Sequence, residues 1–210
     1  MPRLFIAGTH TGVGKTLVTA ALAHQTGLRA LKPAATGFDR MEGSDTEILC
    51  RAMGIAPSTD ISPFRFAAPL SPDMAAAREG KPVDLDALVK FCAGDVLVEG
   101  IGGVMTPLNE HDTVLDWIAA LGCPAILVAG SYLGTLSHTL TAVAAMGSRG
   151  IAPEAVIISE SLDAPPLAET AAALRRHLAV PVVALPRIAG ADPWMRAPSL
   201  SQVLTAFPVE

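Results

Sequence analysis

A glycine-rich segment near the start of the chain carries the residues best suited to phosphate chemistry. Residues 8–16 read Gly-Thr-His-Thr-Gly-Val-Gly-Lys-Thr, which matches the pattern G-x-x-x-x-G-K-[ST] between an apolar run and a helical stretch. The glycines let backbone N–H groups turn toward a phosphate, and a helix N-terminus adds partial positive charge. We therefore predict that Lys15 contacts the β- and γ-phosphates of a nucleotide and that the Thr16 hydroxyl binds Mg²⁺.

A second lysine is placed where it can reach the same phosphates. The chain has four lysines against eleven arginines, and Lys15 and Lys32 fall at the ends of the first two predicted strands. A lysine ammonium is a compact charge that can follow a moving phosphoryl group. Pro33 keeps the backbone of Lys32 extended rather than helical. We predict that Lys15 and Lys32 are the catalytic residues.

Two carboxylates complete a predicted metal site. Glu99 ends the apolar run Val96–Glu99, and Asp45 follows Ser44 at a predicted helix start. With Thr16, these two side chains would supply the hard oxygen ligands that Mg²⁺ prefers. Two structural alternatives stay open at this point. In the first, Glu99 is only a solvated residue at the end of a strand. In the second, Asp45 only interacts favourably with the dipole of a helix whose N-terminus Ser44 caps.

The elements that must position these residues alternate along the chain. Nearly continuous apolar runs predict strands covered on both faces: Leu4–Ala7, Ala30–Lys32, Val96–Glu99, Ala125–Ala129, Ala155–Ser159 and Val182–Leu185. Helical patterns fill the intervals: Lys15–Gln25, Asp45–Met53, Leu85–Cys92, Thr113–Leu121, Ser137–Met146, Leu167–His177 and Leu200–Ala206. This order predicts one α/β domain over residues 1–210, with a doubly wound, mostly parallel sheet and helices on both faces. The proline-rich segment Ile61–Pro72 is predicted to be a loop.

Composition excludes several classes of protein. The 210 residues carry a net charge of −5, which disfavours nucleic-acid binding. Although mean hydropathy is +0.44, each apolar run is far shorter than the roughly 20 residues of a membrane-spanning helix. The apolar run at the start of the chain is too short for a signal peptide. The three cysteines show neither paired spacing nor the spacing of metal ligands. We expect a soluble, cytoplasmic protein that binds neither nucleic acid nor membrane.

Several further motifs together resemble those of the dethiobiotin synthetase family, which belongs to the P-loop NTPase superfamily. They cover most of the chain in order: Gly8–Thr16, Lys32–Gly37, Ser44–Asp45, Ser71–Pro72, Val98–Gly103, Thr106–Leu108 and Leu133–Gly134. The resemblance implies a carbon–nitrogen cyclo-ligase that requires ATP and Mg²⁺ in biotin synthesis. Diaminopelargonate (7,8-diaminononanoate) and CO₂ would give dethiobiotin, ADP and phosphate, by way of a carbamate that ATP phosphorylates. A homodimer with the amine substrate at the subunit interface is also implied.

The resemblance also implies roles for individual residues. The residues implied to bind nucleotide are Gly12, Val13, Gly14, Lys15, Thr16, Asp45, Glu99, Gly100, Ile101, Gly102, Ser159, Glu160, Leu185, Pro186 and Arg187. Those implied to bind substrate are Thr11, Thr36, Gly134, Thr135, Leu136 and Ser137, the last four from the partner subunit. Thr16, Asp45 and Glu99 would hold Mg²⁺. Ser159 and Glu160 stand where the family often has asparagine and aspartate for the purine, so the base preference stays open.

Two other functions are compatible with a phosphate loop on this fold. One is a nucleotide-switch ATPase of the partition or site-placement type. Such proteins usually carry a second lysine early in the phosphate loop, whereas this chain has Gly8-Thr9-His10, and its last residues show no basic amphipathic helix. The other is a related ATP-dependent ligase with a different acid or amine substrate.

Overall fold

The aliphatic runs of the sequence form the central sheet of the protein. The computed structural model describes residues 3–200 and residue 203. Its strands are β1 (Arg3–Gly8), β2 (Arg29–Leu31), β3 (Ala34–Thr36), β4 (Phe64–Phe66), β5 (Val96–Glu99), β6 (Ala125–Gly130), β7 (Ala155–Ser159) and β8 (Val182–Leu185). Six of them form one parallel sheet in the order β2-β5-β1-β6-β7-β8. Every residue of β5 and β6 is buried, as expected for strands covered on both faces.

Helices cover the two faces of this sheet. They are α1 (Lys15–Thr26), α2 (Asp45–Ala52), α3 (Pro72–Glu79), α4 (Leu85–Phe91), α5 (Val114–Leu121), α6 (Thr135–Ser148) and α7 (Leu167–Arg175). The crossover through α1 runs along the sheet in the direction opposite to those through α5, α6 and α7. Because such crossovers are right-handed, α1 lies on one face and the other three on the opposite face. The predicted doubly wound α/β fold is confirmed, and the described residues form one domain.

Aliphatic packing and an aromatic contact form the core. The side chains of Leu4, Phe5 and Ile6 are fully buried on the central strand β1. The Phe5 ring meets the Trp117 ring of α5 edge to face, with centroids 4.9 Å apart, a geometry favoured by aromatic quadrupoles. α5 is held in place at its start by Thr113 and Asp116, which form a capping box. None of the helices in the described part of the chain combines the length and the apolar character needed to span a membrane.

The prediction of a loop over Ile61–Pro72 is wrong in part. Residues 64–66 form β4, which pairs in parallel with β3 as a separate two-stranded sheet, and Pro72 begins α3. The prolines flank the strand rather than interrupt it, and Phe66 is buried against the core. Edge positions of this kind tolerate proline. The helix predicted over 200–206 lies outside the described residues except for Leu200 and Val203, which are both buried.

Candidate active site

The phosphate loop connects the end of β1 to the start of α1 and has the backbone shape that its glycines allow. Gly12 and Gly14 adopt φ values of 78° and 98°, a left-handed region that other residues enter only with strain. A Cβ added at Gly14 would also lie 2.7 Å from the Ser159 hydroxyl oxygen. Glycine is therefore required at position 14 by both conformation and space.

The Lys15 side chain is folded back into this loop. Its ammonium donates hydrogen bonds to the backbone oxygens of His10, at 3.0 Å, and of Gly102, at 2.8 Å. The side chain is buried, and this burial, together with the nearby Lys32, lowers the pKa of Lys15 to about 8. The predicted phosphate-binding lysine therefore points into the curve of the loop.

Strand register brings Lys32 and Glu99 together. Leu31 of β2 pairs with Val98 of β5, so Lys32, just after β2, and Glu99, the last residue of β5, lie at the same edge of the sheet. The Lys32 ammonium lies 2.6 Å from Glu99 Oε1 and 3.0 Å from Asp45 Oδ2. It also donates to the Gly100 carbonyl at 3.3 Å. Two neighbouring strands and the first residue of α2 thus supply one ionic cluster, in which the Lys32 and Glu99 side chains are buried and the Asp45 side chain is 46% exposed.

The Thr16 hydroxyl joins this cluster from α1. It donates to Glu99 Oε1 at a distance of 2.9 Å. Glu99 has no exposed surface, so the alternative of a solvated strand-end glutamate is wrong. Ser44 does cap α2 by accepting from the Glu47 N–H, so the capping alternative holds for Ser44. Asp45 goes beyond a helix-dipole role because it also pairs with Lys32.

Burial and ion pairing act in opposite directions on these groups. Burial raises the pKa of Glu99, although Lys32 opposes the rise. Burial also disfavours the charged forms of Lys32 and Asp45, but their pairing outweighs it. The two carboxylates raise the pKa of Lys32, and Lys32 and Thr16 hold the pKa of Asp45 below its usual range. In the folded protein, contacts between the paired charges therefore replace the hydration of the lysine and carboxylate groups.

One oxygen of the cluster has no hydrogen-bond partner. Glu99 Oε2 is buried, and nothing among the described residues donates to it. An unpartnered buried carboxylate oxygen beside a hydroxyl and a second carboxylate fits a hard divalent cation. No group of three or more His, Cys, Asp or Glu residues in the described part of the chain is arranged to hold a metal. The oxygen donors available to a cation at this edge of the sheet are thus the carboxylates of Asp45 and Glu99 and the Thr16 hydroxyl.

A cavity of about 370 Å³ opens above this cluster. The predicted residues that line it are Thr11, Gly12, Gly14, Lys15, Thr16, Lys32, Thr36, Asp45, Glu99, Ile101 and Gly102. It lies at the carboxyl ends of β1, β2 and β5, where doubly wound folds bind ligands. The structure therefore brings the predicted phosphate, metal and carbamate-end residues to one place.

A second cavity, of about 420 Å³, borders the phosphate loop on its other side. It is lined by Gly12, Val13, Gly14, Ser159, Glu160 and Arg187 from the predicted set. Glu160 Oε2 accepts a hydrogen bond of 2.8 Å from the backbone N–H of Arg187. Leu185 and Pro186 do not line this cavity, and the Leu185 side chain is fully buried. The sequence prediction missed Leu17, Ser161, Leu162 and Ile188, which do line it.

The predicted carboxylate-binding residues lie elsewhere. Gly134–Ser137 form the start of α6 after β6, and none of them lines the first cavity. The Thr135 hydroxyl is buried and donates to the Gly130 carbonyl. Near this turn, Tyr132 bonds His138 Nδ1 at 2.8 Å, and the His10 ring packs on Tyr132 with centroids 4.8 Å apart. Nothing in the sequence pattern indicated this aromatic cluster, because His10 is distant in the chain from Tyr132 and His138.

The chain is similar to proteins with known names along most of its length. Residues 2–193 match the family model described as an AAA domain. An ATP-dependent dethiobiotin synthetase BioD from Acidiphilium cryptum (strain JF-5) is 48% identical over 198 residues, which cover 85% of this chain and 89% of the relative. The protein of the same name from Phenylobacterium zucineum (strain HLK1) is 43% identical, covering 98% of this chain and 96% of the relative.

Solved structures agree with the fold. Chloroplast FtsY from Physcomitrella patens is 18% identical with a TM-score of 0.52, and covers 99% of this chain and 65% of its own. The signal recognition particle receptor FtsY from Elizabethkingia anophelis is 16% identical with a TM-score of 0.50, covering 97% of this chain and 64% of its own. This chain thus spans slightly less than two thirds of those proteins, and the likeness concerns the fold alone. The curated relatives carry the assignment: the chain belongs to the ATP-dependent dethiobiotin synthetase family, a family of ligases.

Proposed function

We propose that this protein is a cytoplasmic cyclo-ligase that converts diaminopelargonate and CO₂ to dethiobiotin, with ATP converted to ADP and phosphate. The observation that carries the proposal is the convergence of Lys15, Lys32, Thr16, Asp45 and Glu99 on one cavity beside the phosphate loop. The membership of the family supplies the reaction. The site contains cationic and metal-binding groups that suit the anionic phosphates and carbamate of that reaction.

The nucleotide would lie across the phosphate loop. The backbone N–H groups of Gly12–Thr16 and the Lys15 ammonium would bind the β- and γ-phosphates. The base would enter the second cavity, beside Ser159 and Glu160. In this arrangement the γ-phosphate faces the cavity that holds Lys32.

Thr16, Asp45 and Glu99 would hold Mg²⁺, and the unpartnered Glu99 Oε2 supports this assignment. A bound magnesium ion would supply charge neutralisation at the phosphate oxygens. Asp45 is ionised before an ion binds, because Lys32 and Thr16 hold its pKa below the usual range.

The substrate chemistry needs positioning more than covalent catalysis. One amine of the substrate adds to CO₂ and loses a proton, which gives a carbamate. A carbamate oxygen attacks the γ-phosphorus and the bond to ADP breaks, which gives a mixed carbamic–phosphoric anhydride. The second amine then attacks the carbonyl carbon, loses a proton and expels phosphate to close the ring. Lys15 and Lys32 would neutralise the anionic oxygens, while Thr11 and Thr36 would contact the carbamate end.

The far end of the substrate would reach a second subunit. We infer that Gly134–Ser137 of the partner binds the substrate carboxylate at the start of α6, as helix N-termini do. Support comes from exposed apolar side chains at this turn, since Leu133 is 90% exposed and Leu136 is 38% exposed. A contact between two copies would cover them.

The test is phosphate release from ATP with and without diaminopelargonate and bicarbonate. We expect release to require both, and dethiobiotin to form in equal amount as measured by mass spectrometry. Release that ignores both compounds would contradict the proposal and favour a nucleotide-switch ATPase. Release that requires a different amine or acid would identify a related ligase.

A further inference from the structure

The Lys32 ammonium lies among the oxygens proposed to hold the metal. It is 2.6 Å from Glu99 Oε1 and 3.0 Å from Asp45 Oδ2, and Thr16 donates to the same Glu99 oxygen. The Lys32 side chain is 5% exposed and the Glu99 side chain is fully buried. Lys32 therefore already supplies a cation to the carboxylates at this position.

A magnesium ion on these oxygens would lie very close to this ammonium. Mg²⁺ binds oxygen at about 2.1 Å. An ion on Glu99 Oε1 would thus be no more than about 4.7 Å from Lys32 Nζ, since Nζ is 2.6 Å from that oxygen. Water screens little of this repulsion, because the pair is buried. Glu99 Oε2 is free to accept the ion, but the ion and the ammonium would still compete for the negative charge of the same two carboxylates, because Lys32 contacts both.

The charges and the space around Lys32 allow it to leave. In the protein alone, the two lysines Lys15 and Lys32 balance Asp45 and Glu99. A divalent ion would replace Lys32 as the partner of the two carboxylates. The positive charge of Lys32 would then be available for a contact in the cavity. The backbone of Lys32 is fixed by a hydrogen bond of 3.0 Å from its N–H to the Ile61 carbonyl, so only the side chain needs to turn. Lys32 itself lines the cavity that also contains Thr36.

We propose that Lys32 is the resident cation of the metal position and that Mg²⁺ displaces it when the nucleotide binds. Before metal binding, Lys32 is a positioning residue that holds Glu99 and Asp45 together. After metal binding, its ammonium faces the cavity and meets the anionic group of the substrate. The proposal rests on the metal assignment made above, and it makes Lys32 available for chemistry only in the loaded enzyme.

The direct test observes the lysine side chains of the wild-type protein by NMR. With ¹³C,¹⁵N-labelled lysine, the four lysines of the chain give few signals, and Lys81→Arg and Lys90→Arg help to assign them. We expect ADP with EDTA to shift the Lys15 signal and leave Lys32 unchanged. Addition of Mg²⁺ should then shift Lys32 toward the position and mobility of an unpaired lysine. A Lys32 signal that is the same with and without Mg²⁺ would overturn the proposal.

A second measurement uses Lys32→Met without nucleotide. Loss of the ammonium leaves Glu99 and Asp45 unpaired, so we expect Mg²⁺ to raise the melting temperature of this variant by several degrees more than that of the wild type. Lys81→Met is the matched control, because Lys81 pairs with Glu79 at the surface. An equal rise in melting temperature with Mg²⁺ in Lys32→Met and the wild type would overturn the proposal that Mg²⁺ displaces Lys32. If Lys32→Met does not fold, the wild-type NMR experiment decides. Neither measurement uses diaminopelargonate or CO₂, so failure of the proposed reaction gives a separate result.

Discussion

One ion pair at the phosphate edge and one on the helix faces have the same length but different surroundings. Lys32 lies 2.6 Å from Glu99, and Arg149 lies 2.6 Å from Asp116. The first pair is almost fully buried, whereas the Arg149 side chain is 52% exposed. Distance alone therefore does not separate these two pairs, and burial does.

This difference indicates what each region is for. An exposed pair contributes about 0–1 kcal/mol to stability. A buried pair costs several kcal/mol in desolvation, and removal of one partner costs about 3–5 kcal/mol. A chain that is only 17% charged nevertheless buries Lys15, Lys32 and Glu99 at one edge of its sheet. We interpret this concentration of buried charge as a requirement of phosphate chemistry rather than of folding.

Neutralisation of the buried carboxylate should have the largest effect. Glu99→Gln preserves the shape of the side chain but removes the charge that faces Lys32 and the proposed metal. We expect kcat to fall by at least about 100-fold and the Mg²⁺ concentration for half-maximal activity to rise. Steady-state kinetics over a range of Mg²⁺ concentrations measures both, with Arg149→Met as the surface control. Unchanged magnesium dependence in Glu99→Gln would remove Glu99 from the metal site.

The glycine that closes the phosphate loop should come next. Gly14→Ala places a Cβ at φ 98°, 2.7 Å from the Ser159 hydroxyl oxygen, and the left-handed backbone alone costs about 1–2 kcal/mol. We expect ADP affinity, measured by calorimetry, to fall by roughly tenfold or more. Gly27→Ala is the matched control, because Gly27 has φ 70° and nothing near its Cβ position. It should lower stability and leave ADP affinity unchanged, and equal affinity losses would contradict the close contact at Gly14.

The pH dependence of nucleotide binding should be smaller and have a definite sign. The pKa of Lys15 is lowered to about 8, so its ammonium is charged at pH 7 and loses its proton as the pH rises through 8. Because the phosphates bind the charged form, ADP affinity should be constant below that range and fall up to about tenfold per pH unit above it. Calorimetry at several pH values, with Lys15→Arg as the control, measures this. Constant affinity up to pH 9.5 in the wild type would show that Lys15 is not the group that binds the phosphates.

The exposed pair should give the smallest effect. Arg149→Met removes the partner of Asp116, which keeps its capping hydrogen bonds to Thr113. We expect the free energy of unfolding to change by less than about 1 kcal/mol and the activity to stay the same. Denaturant titration gives the stability. A loss of several kcal/mol would mean that burial does not separate the two pairs as we describe.

The sequence predicted the parts of this molecule that depend on local pattern. The phosphate loop and the six main strands follow from residue spacing and from continuous apolar runs. β4 was missed because a three-residue strand between prolines has no recognisable period, and it forms only by pairing with β3. The contact of Lys32 with Asp45 and Glu99 depends on the register of β2 against β5 and on the start of α2. These relations join distant parts of the chain, so spacing predicted a shared edge but not the ammonium among the carboxylates.

The central claim is that the buried charge at the phosphate edge serves the reaction. Lys32→Gln tests it most directly, with ADP affinity measured by calorimetry and turnover measured as dethiobiotin formed. We predict ADP affinity within about threefold of wild type, a difference of less than about 1 kcal/mol, and turnover reduced by about 100-fold. Parallel loss of affinity and turnover would show that Lys32 only binds nucleotide, and retained turnover would show that the buried cluster serves the fold instead.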